Sequence, residues 1–184
     1  MEKINKLKKI FEREKIDGYI IPKNDEFFGE YTPSYNDRLN YISNFSGSYG
    51  FSIILKNTNY LFVDGRYSIQ AKIESGKHFN IVDYFKIINT NVFKNLNIGI
   101  DPTLFTSEQI KKFFFKNNKV TNINENLVDN IQKIQNKKSL PFYSINEKIS
   151  GESHLQKISK VANYLKKNNL IIYLLLLQKI LHGC

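Results

Sequence analysis

The sequence has no tryptophan and a single cysteine, Cys184, which is its last residue. One cysteine cannot form a disulfide within the chain, and a disulfide framework would be the sign of an oxidising compartment. We therefore expect a cytoplasmic protein.

Arginine is also scarce, because only Arg13, Arg38 and Arg66 accompany the many lysines that give the chain its net charge of +10. A basic chain could bind nucleic acid, but proteins that recognise nucleic-acid sequence usually rely on arginine for two-point contacts with the bases. The lysines are spread along the chain, with no block of five like charges. The pattern favours a solvated basic surface, and nucleic-acid binding would require lysines gathered on one face.

Long hydrophobic runs are missing as well. The longest apolar run covers residues 170–177, whereas a membrane-spanning helix needs about 20 residues. The N-terminus mixes charge with apolar residues and does not look like a signal peptide. We expect no membrane association.

What the chain does contain is enough apolar material for a core. Hydrophobic residues make up 41% of the 184 positions, and there are 14 phenylalanines and 11 tyrosines. This composition is typical of a globular protein, and the length fits one domain plus part of another.

Hydrophobic periodicity predicts alternating helices and strands over residues 1–134. An amphipathic helix with Ile4, Leu7 and Phe11 on one face opens the chain, and Asp17-Gly18 is its predicted stop. Strands are predicted at 19–21, 51–55, 60–63, 79–84, 97–100 and 120–123, and helices at 66–74, 107–117 and 126–134. The polar connection between 51–55 and 60–63 favours an antiparallel hairpin. The predicted fold class is α/β, with a mixed sheet of about six strands flanked by helices.

Residues 135–149 read as a polar linker, after which 152–167 places Leu155, Ile158 and Leu165 on one helical face. We therefore predict a domain over 1–134, a linker over 135–149, and the truncated start of a second domain, a C-terminal helical stub, over 150–184.

No pattern indicates a metal site or a nucleophile. His78, His154 and His182 have no ligand partner at helical spacing, and metal sites need three or four converging donors. Five carboxylates have no supporting spacing either: Asp83, Asp101, Glu125, Asp129 and Glu152. Gly47-Ser48-Tyr49-Gly50 only partly resembles a nucleophile turn, because Ser46 occupies the place of the upstream glycine. Gly47 and Gly50 are better explained by backbone conformation or close approach at the strand entry.

Two acid–arginine units are more specific candidates for a functional site than the residues above. Asp37 and Arg38 make one unit, and Asp64 and Arg66 make the other. Arginine is suited to two-point carboxylate contacts, so these residues could bind a carboxylate or could pair in salt bridges that hold loops against the sheet. Both interpretations stay open at this stage.

Residues 37–50 and 64–71 resemble two motifs of the N-terminal domain of Xaa-Pro aminopeptidases, the creatinase-type N-terminal domain of peptidase family M24. The segment from Arg38 to Gly50 is similar to the GF-GS-G motif of that family, with Asn44 in place of glycine. Asp64-Gly65-Arg66-Tyr67, followed by Gln70-Ala71, is the most specific match. Residues 150–158 resemble the start of the second domain in the long, three-domain members.

The resemblance implies a fold with a ribonuclease H-like motif. It also implies that the two divalent metal ions of the family, typically manganese, lie in a separate catalytic domain. The metal ligands of that domain have no counterparts here, so we expect no cofactor in this chain. The candidate structural or substrate-access residues are Asp37, Arg38, Gly47, Ser48, Gly50, Asp64, Gly65, Arg66 and Tyr67.

The first hypothesis is accordingly a non-catalytic N-terminal fragment of an Xaa-Pro aminopeptidase-like protein, truncated before the catalytic domain. The alternative is an interaction or dimerisation module that complements a separately encoded catalytic portion of a metallo-aminopeptidase. Its partners would be a second copy of the chain or a catalytic-domain protein.

Overall fold

A computed structural model describes residues 1–29, 31–85, 94–113, 118–132 and 143–171. The chain divides into two compact units, Met1–Asn136 and Lys137–Cys184. Several sequence predictions lie outside the described residues: the helix end at 114–117, residues 133–142, the apolar run from residue 172 onward, His182 and Cys184. The predicted boundaries 1–134, 135–149 and 150–184 stay predictions.

The first unit contains a six-stranded sheet in the order β4-β3-β2-β1-β5-β6. The strands are β1 Gly18–Pro22, β2 Gly50–Leu55, β3 Asn59–Val63, β4 Asn80–Asp83, β5 Asn97–Ile100 and β6 Lys119–Asn122. The helices are α1 Glu2–Arg13, α2 Arg38–Ser43, α3 Ser68–Ser75, α4 Ser107–Phe113 and α5 Leu127–Gln132, with 3₁₀ turns at Gly65–Tyr67 and Pro102–Leu104. The predicted α/β class with a mixed sheet is confirmed.

The pairing of the strands explains why the sheet is mixed. β2 runs antiparallel to both β1 and β3, with Ile20 opposite Ile53 and Phe51 opposite Phe62. β1 with β5, β3 with β4 and β5 with β6 are parallel pairs. The predicted 51–63 hairpin is therefore present, and the carboxyl ends of β1, β3, β4, β5 and β6 lie at the same edge of the sheet.

Both faces of the sheet bury apolar side chains, because successive residues of a strand point to opposite faces. Tyr19 and Ile21 of β1 face a core that includes Leu7 and Phe11 of α1, Leu39 of α2 and Leu127 of α5. Ile20 faces the opposite core, which Ile110 of α4 helps to cover. The continuous apolar strands of the sequence follow from this two-sided burial.

The first helix ends differently from the sequence prediction. Lys15 takes the left-handed conformation at φ 53°, and the amide of Ile16 donates to Phe11 O at 3.0 Å. Gly18 is instead part of β1, where a Cβ atom would lie 2.5 Å from Leu55 Cδ2. The prediction of Asp17-Gly18 as the stop was wrong, because Gly18 is required for close strand packing.

α2 is an element that the sequence interpretation did not assign. Asp37 caps its N-terminus by accepting a hydrogen bond from Asn40 N. Asn44 ends the helix in the left-handed conformation, at φ 64°. Asp and Asn at these two positions are ordinary helix boundary signals, so local chemistry could have revealed this helix.

In the second unit, the described residues form α6 Glu147–Ser150 and α7 His154–Lys167. Gly151, at φ +78°, separates the two helices. α7 begins with a capping box in which Gln156 N donates to Ser153 Oγ and Ser153 N donates to Gln156 Oε1. The predicted helical stub is therefore present over the described part of this unit.

Candidate functional site

The two motif segments of the sequence meet at the carboxyl edge of the sheet. The backbone N and Oγ of Ser46 donate to Oε2 and Oε1 of Glu74, both at 2.8 Å. Gln70 Nε2 donates to Ser46 Oγ at 2.8 Å, and the hydroxyl oxygens of Ser48 and Tyr67 lie 2.7 Å apart. The loop before β2 is thereby joined to the turn and helix that follow β3.

The Glu74 carboxylate is the main hydrogen-bond acceptor in this contact. Its partial burial acts to raise the pKa of the carboxyl, but the hydrogen bonds from the backbone and side chain of Ser46 and from Gln70 outweigh it, as does the charge of Lys23. The net effect is a pKa below the ordinary value of 4.5. The carboxylate is the form that holds the two segments together.

Gly47 and Gly50 are required by close approach. A Cβ atom on Gly47 would lie 2.2 Å from Cζ of the buried Phe45 ring. Gly50 has φ +153°, and its Cβ would lie 2.6 Å from the backbone oxygen of Phe62. The Ser48 hydroxyl contacts the hydroxyl of Tyr67. The geometry is that of a tightly packed loop.

Asp37 serves as a helix cap and as an ion-pair partner. One carboxylate oxygen accepts from Asn40 N at 3.0 Å. The other accepts from Lys23 Nζ at 2.6 Å, with both side chains largely buried. Lys23 directly follows β1, so this pair connects the start of α2 to the carboxyl end of a central strand.

Arg38 makes a second, separate ion cluster. Its Nε and Nη2 donate to Oδ1 and Oδ2 of Asp129 at 2.7 and 2.8 Å, and its Nη1 lies 3.4 Å from Glu26 Oε2. Burial acts to lower the pKa of the guanidinium, but Asp129 and Glu26 outweigh it and raise the pKa. Arg38 is a fixed cation that joins α2, α5 and the loop after β1.

Asp64 and Arg66 pair with each other across Gly65. Asp64 Oδ1 accepts both from the backbone N and from Nε of Arg66, each at 2.9 Å. Hydrogen bonds from the side chain and backbone of Arg66 lower the pKa of Asp64. Arg66 is largely exposed and lies over the Tyr67 ring at 5.6 Å from its centroid.

The four acid and arginine residues therefore do not converge on one ligand-binding point in the structure. Asp37 pairs with Lys23, Arg38 pairs with Asp129 and Glu26, and Asp64 pairs with Arg66. The sequence interpretation did not identify Glu74 or Glu26, and it considered Asp129 only as a metal ligand. Arg38 lies 12 positions from Glu26 and 91 from Asp129, and Ser46 lies 28 positions from Glu74, so no local pattern indicated these three pairs.

Within the described ranges, no helix is long and apolar enough to cross a membrane.

Solved structures define the class of this fold. X-prolyl aminopeptidase from Caenorhabditis elegans matches with a TM-score of 0.73 and 23% identity, over 91% of this chain and 31% of that chain. The N-terminal domain of the peptidase PepQ from Mycobacterium tuberculosis matches with a TM-score of 0.54 and 18% identity, over 71% of this chain and 98% of that chain. At these identities the likeness concerns the fold, which is that of peptidase N-terminal domains.

Residues 3–131 match the family model of the Creatinase/Prolidase N-terminal domain, so the chain belongs to that family. Probable Xaa-Pro aminopeptidase P of Laccaria bicolor is 29% identical over 181 residues, a match that covers 90% of this chain. The chain spans about 28% of the length of two of the curated relatives that it matches, and it matches their N-terminal region.

The C. elegans enzyme is described as having a di-nuclear active site. The residues of this chain do not fit such a centre over the ranges that the structure describes, since no three His, Cys, Asp or Glu side chains are grouped to hold a metal ion. Glu26 and Asp129 do converge, but on the guanidinium of Arg38. Both carboxylates are already paired with this internal cation.

Proposed function

We propose that this chain is a non-catalytic N-terminal domain of an Xaa-Pro aminopeptidase-like protein, which acts by structural support of a catalytic domain. The family match over residues 3–131, within a chain that spans less than a third of its relatives, carries the proposal. Peptide bond cleavage would then depend on residues outside this domain.

The hydrogen bonds and ion pairs of the acidic side chains support a structural role. Asp37, Asp129 and Glu74 each accept hydrogen bonds or form ion pairs that join separate elements of the fold. A carboxylate engaged in this way is poorly placed to act as a metal ligand or a general base without breaking the fold. These residues shape and stiffen the carboxyl edge of the sheet.

We further propose that the partner of the chain is a catalytic-domain protein, and that α7 provides part of the contact. Leu155 and Ile158 lie on one side of this helix and are 64% and 53% exposed. Neighbouring exposed apolar side chains are a common sign of an interaction surface. Self-association through the same helix is the competing arrangement.

Cytoplasmic localisation is part of this proposal. It is supported by the single cysteine of the sequence and by the C. elegans protein, which is described as cytosolic.

The test is hydrolysis of an Xaa-Pro peptide with added Mn²⁺ by three samples: the purified chain, the catalytic portion of a full-length Xaa-Pro aminopeptidase, and their mixture. The proposal predicts no hydrolysis by the chain alone and a higher rate in the mixture than with the catalytic portion alone. Equal rates with and without the chain would contradict the supporting role. Light scattering of the same samples separates mixed complexes from self-association.

A further inference from the structure

A pocket opens at the carboxyl edge of the sheet, on the opposite side from the Ser46–Glu74 contact. It holds about 440 Å³ of space including its open mouth. Tyr49 directly precedes β2, Tyr84 directly follows β4, and Phe105 follows the 3₁₀ turn after β5. Ligands of open α/β sheets bind beyond the carboxyl ends of the strands, which is where this pocket lies.

Aromatic rings form the walls of the pocket and hold one another in place. The rings of Tyr49 and Tyr84 have centroids 5.1 Å apart, and Phe51 meets Tyr84 edge-on at 5.7 Å. Phe51 is also stacked on Phe62 at 4.7 Å. These contacts make a firm apolar surface that needs little reorganisation to receive a ligand.

Two side-chain amides add one acceptor and one donor to the lining. Asn24 Nδ2 donates to Leu104 O at 3.0 Å and to Asp25 O at 3.2 Å, so its Oδ1 is the group that remains as an acceptor. Gln109 Oε1 accepts from Thr106 N at 2.8 Å, which leaves its Nε2 as a donor. An acceptor and a donor together match the N–H and C=O of a peptide backbone.

The lining described for this pocket contains no charged side chain, although the whole chain carries a charge of +10. An acidic or phosphorylated ligand would gain no ion pair inside it. The chemistry favours a neutral, extended polypeptide with apolar rings.

We propose that this pocket binds a proline-rich segment of another protein in the polyproline II conformation. Aromatic-lined grooves bind such segments because the proline rings pack on aromatic faces, and because the extended backbone is already ordered before binding. The amides of Asn24 and Gln109 would fix the register by pairing with one peptide unit. This inference does not depend on the proposed function, since it requires no free N-terminus and no cleavage.

The test is calorimetric titration of the full chain with the blocked hexapeptide acetyl-Ala-Pro-Pro-Ala-Pro-Pro-amide, and with the same peptide carrying serine for proline. Gln109→Glu keeps the Oε1 acceptor for Thr106 N but replaces the Nε2 donor by a charged oxygen. Tyr49→Ala removes one wall, and Tyr35→Ala is a matched control, because Tyr49 and Tyr35 are 45% and 42% exposed.

We expect saturable binding of the proline peptide that weakens about tenfold, or 1.4 kcal/mol, in either pocket variant and is unchanged in Tyr35→Ala. Circular dichroism verifies that each variant is folded. If Tyr49→Ala does not fold, the Gln109→Glu variant still tests the proposal. Equal binding of both peptides, no binding of either, or wild-type affinity in Gln109→Glu would overturn the proposal.

Discussion

Arg38 and Asp129 form a two-point ion pair between residues that are 91 positions apart in the sequence, with donor–acceptor distances of 2.7 and 2.8 Å. Only 7% of the Arg38 side chain is exposed. The pair joins α2 to α5.

Replacing Arg38 by methionine should destabilise the domain by about 3 kcal/mol, because the partly buried carboxylate of Asp129 would lose the cation that it meets at two points. The measurement is the free energy of unfolding in urea. The double variant Arg38→Met with Asp129→Leu should recover much of this loss, since it leaves one fewer unpaired charge.

The matched control for this prediction is Arg66→Met, at the exposed pair with Asp64. It should leave the urea midpoint close to that of the wild type, because exposed ion pairs contribute little. Equal losses in Arg38→Met and Arg66→Met would show that the Arg38 pair has no special role.

The lowered pKa of Glu74 predicts how stability depends on pH. A carboxyl whose folded pKa lies below its unfolded value contributes stability that is complete above the ordinary value of 4.5 and is lost as the pH falls through the folded pKa. Glu74→Gln should therefore be less stable at neutral pH and should lose less stability between about pH 5 and pH 3. Urea unfolding at several pH values measures both effects.

Glu12→Gln, at an exposed position of α1, is the control for removing one negative charge. If Glu74→Gln retained the full pH dependence of the wild type, the hydrogen bonds of Ser46 would not be responsible for it.

Gly50→Ala should destabilise the domain by about 2 kcal/mol, within the range of strained backbone substitutions. The new Cβ would meet the backbone oxygen of Phe62 at 2.6 Å, and backbone atoms cannot move aside as a side chain can. Gly65→Ala is the matched variant, because a Cβ there has nothing within 4 Å. Thermal unfolding of both proteins should show a clear loss for Gly50→Ala alone.

A charge on the apolar side of α7 tests the pairing proposal. Ile158→Glu should abolish the rate increase that the chain gives to a catalytic portion, because an interface would have to bury the new carboxylate. Asn163→Glu adds the same charge on the opposite side of the helix and should keep the increase. If both variants behaved alike, α7 would not be the contact.

Local patterns were sufficient to predict much of the fold. The 51–63 hairpin followed from two β-favouring runs and a polar connection, and it is present as β2 and β3. Thr106 and Gln109 have the spacing of a capping box in the sequence, and they form its two reciprocal hydrogen bonds, of 2.8 and 3.2 Å, at the start of α4. These features depend on neighbouring residues, which a sequence displays directly.

The partners at the candidate site could not be predicted in this way. Ser46 meets Glu74 and Arg38 meets Asp129 only because the sheet order brings separate loops to one edge. A charged residue has many potential partners in a sequence, and tertiary packing selects among them. For the same reason, Gly18 was assigned to a helix stop although its role depends on Leu55 of the neighbouring strand.

The most direct test of the central proposal is the rate of Xaa-Pro peptide hydrolysis by the purified chain alone, measured with Mn²⁺ and again with EDTA. The proposal predicts a rate equal to the buffer blank under both conditions. Hydrolysis that elutes with the chain in gel filtration and disappears with EDTA would contradict it and would show that this chain holds a catalytic metal centre.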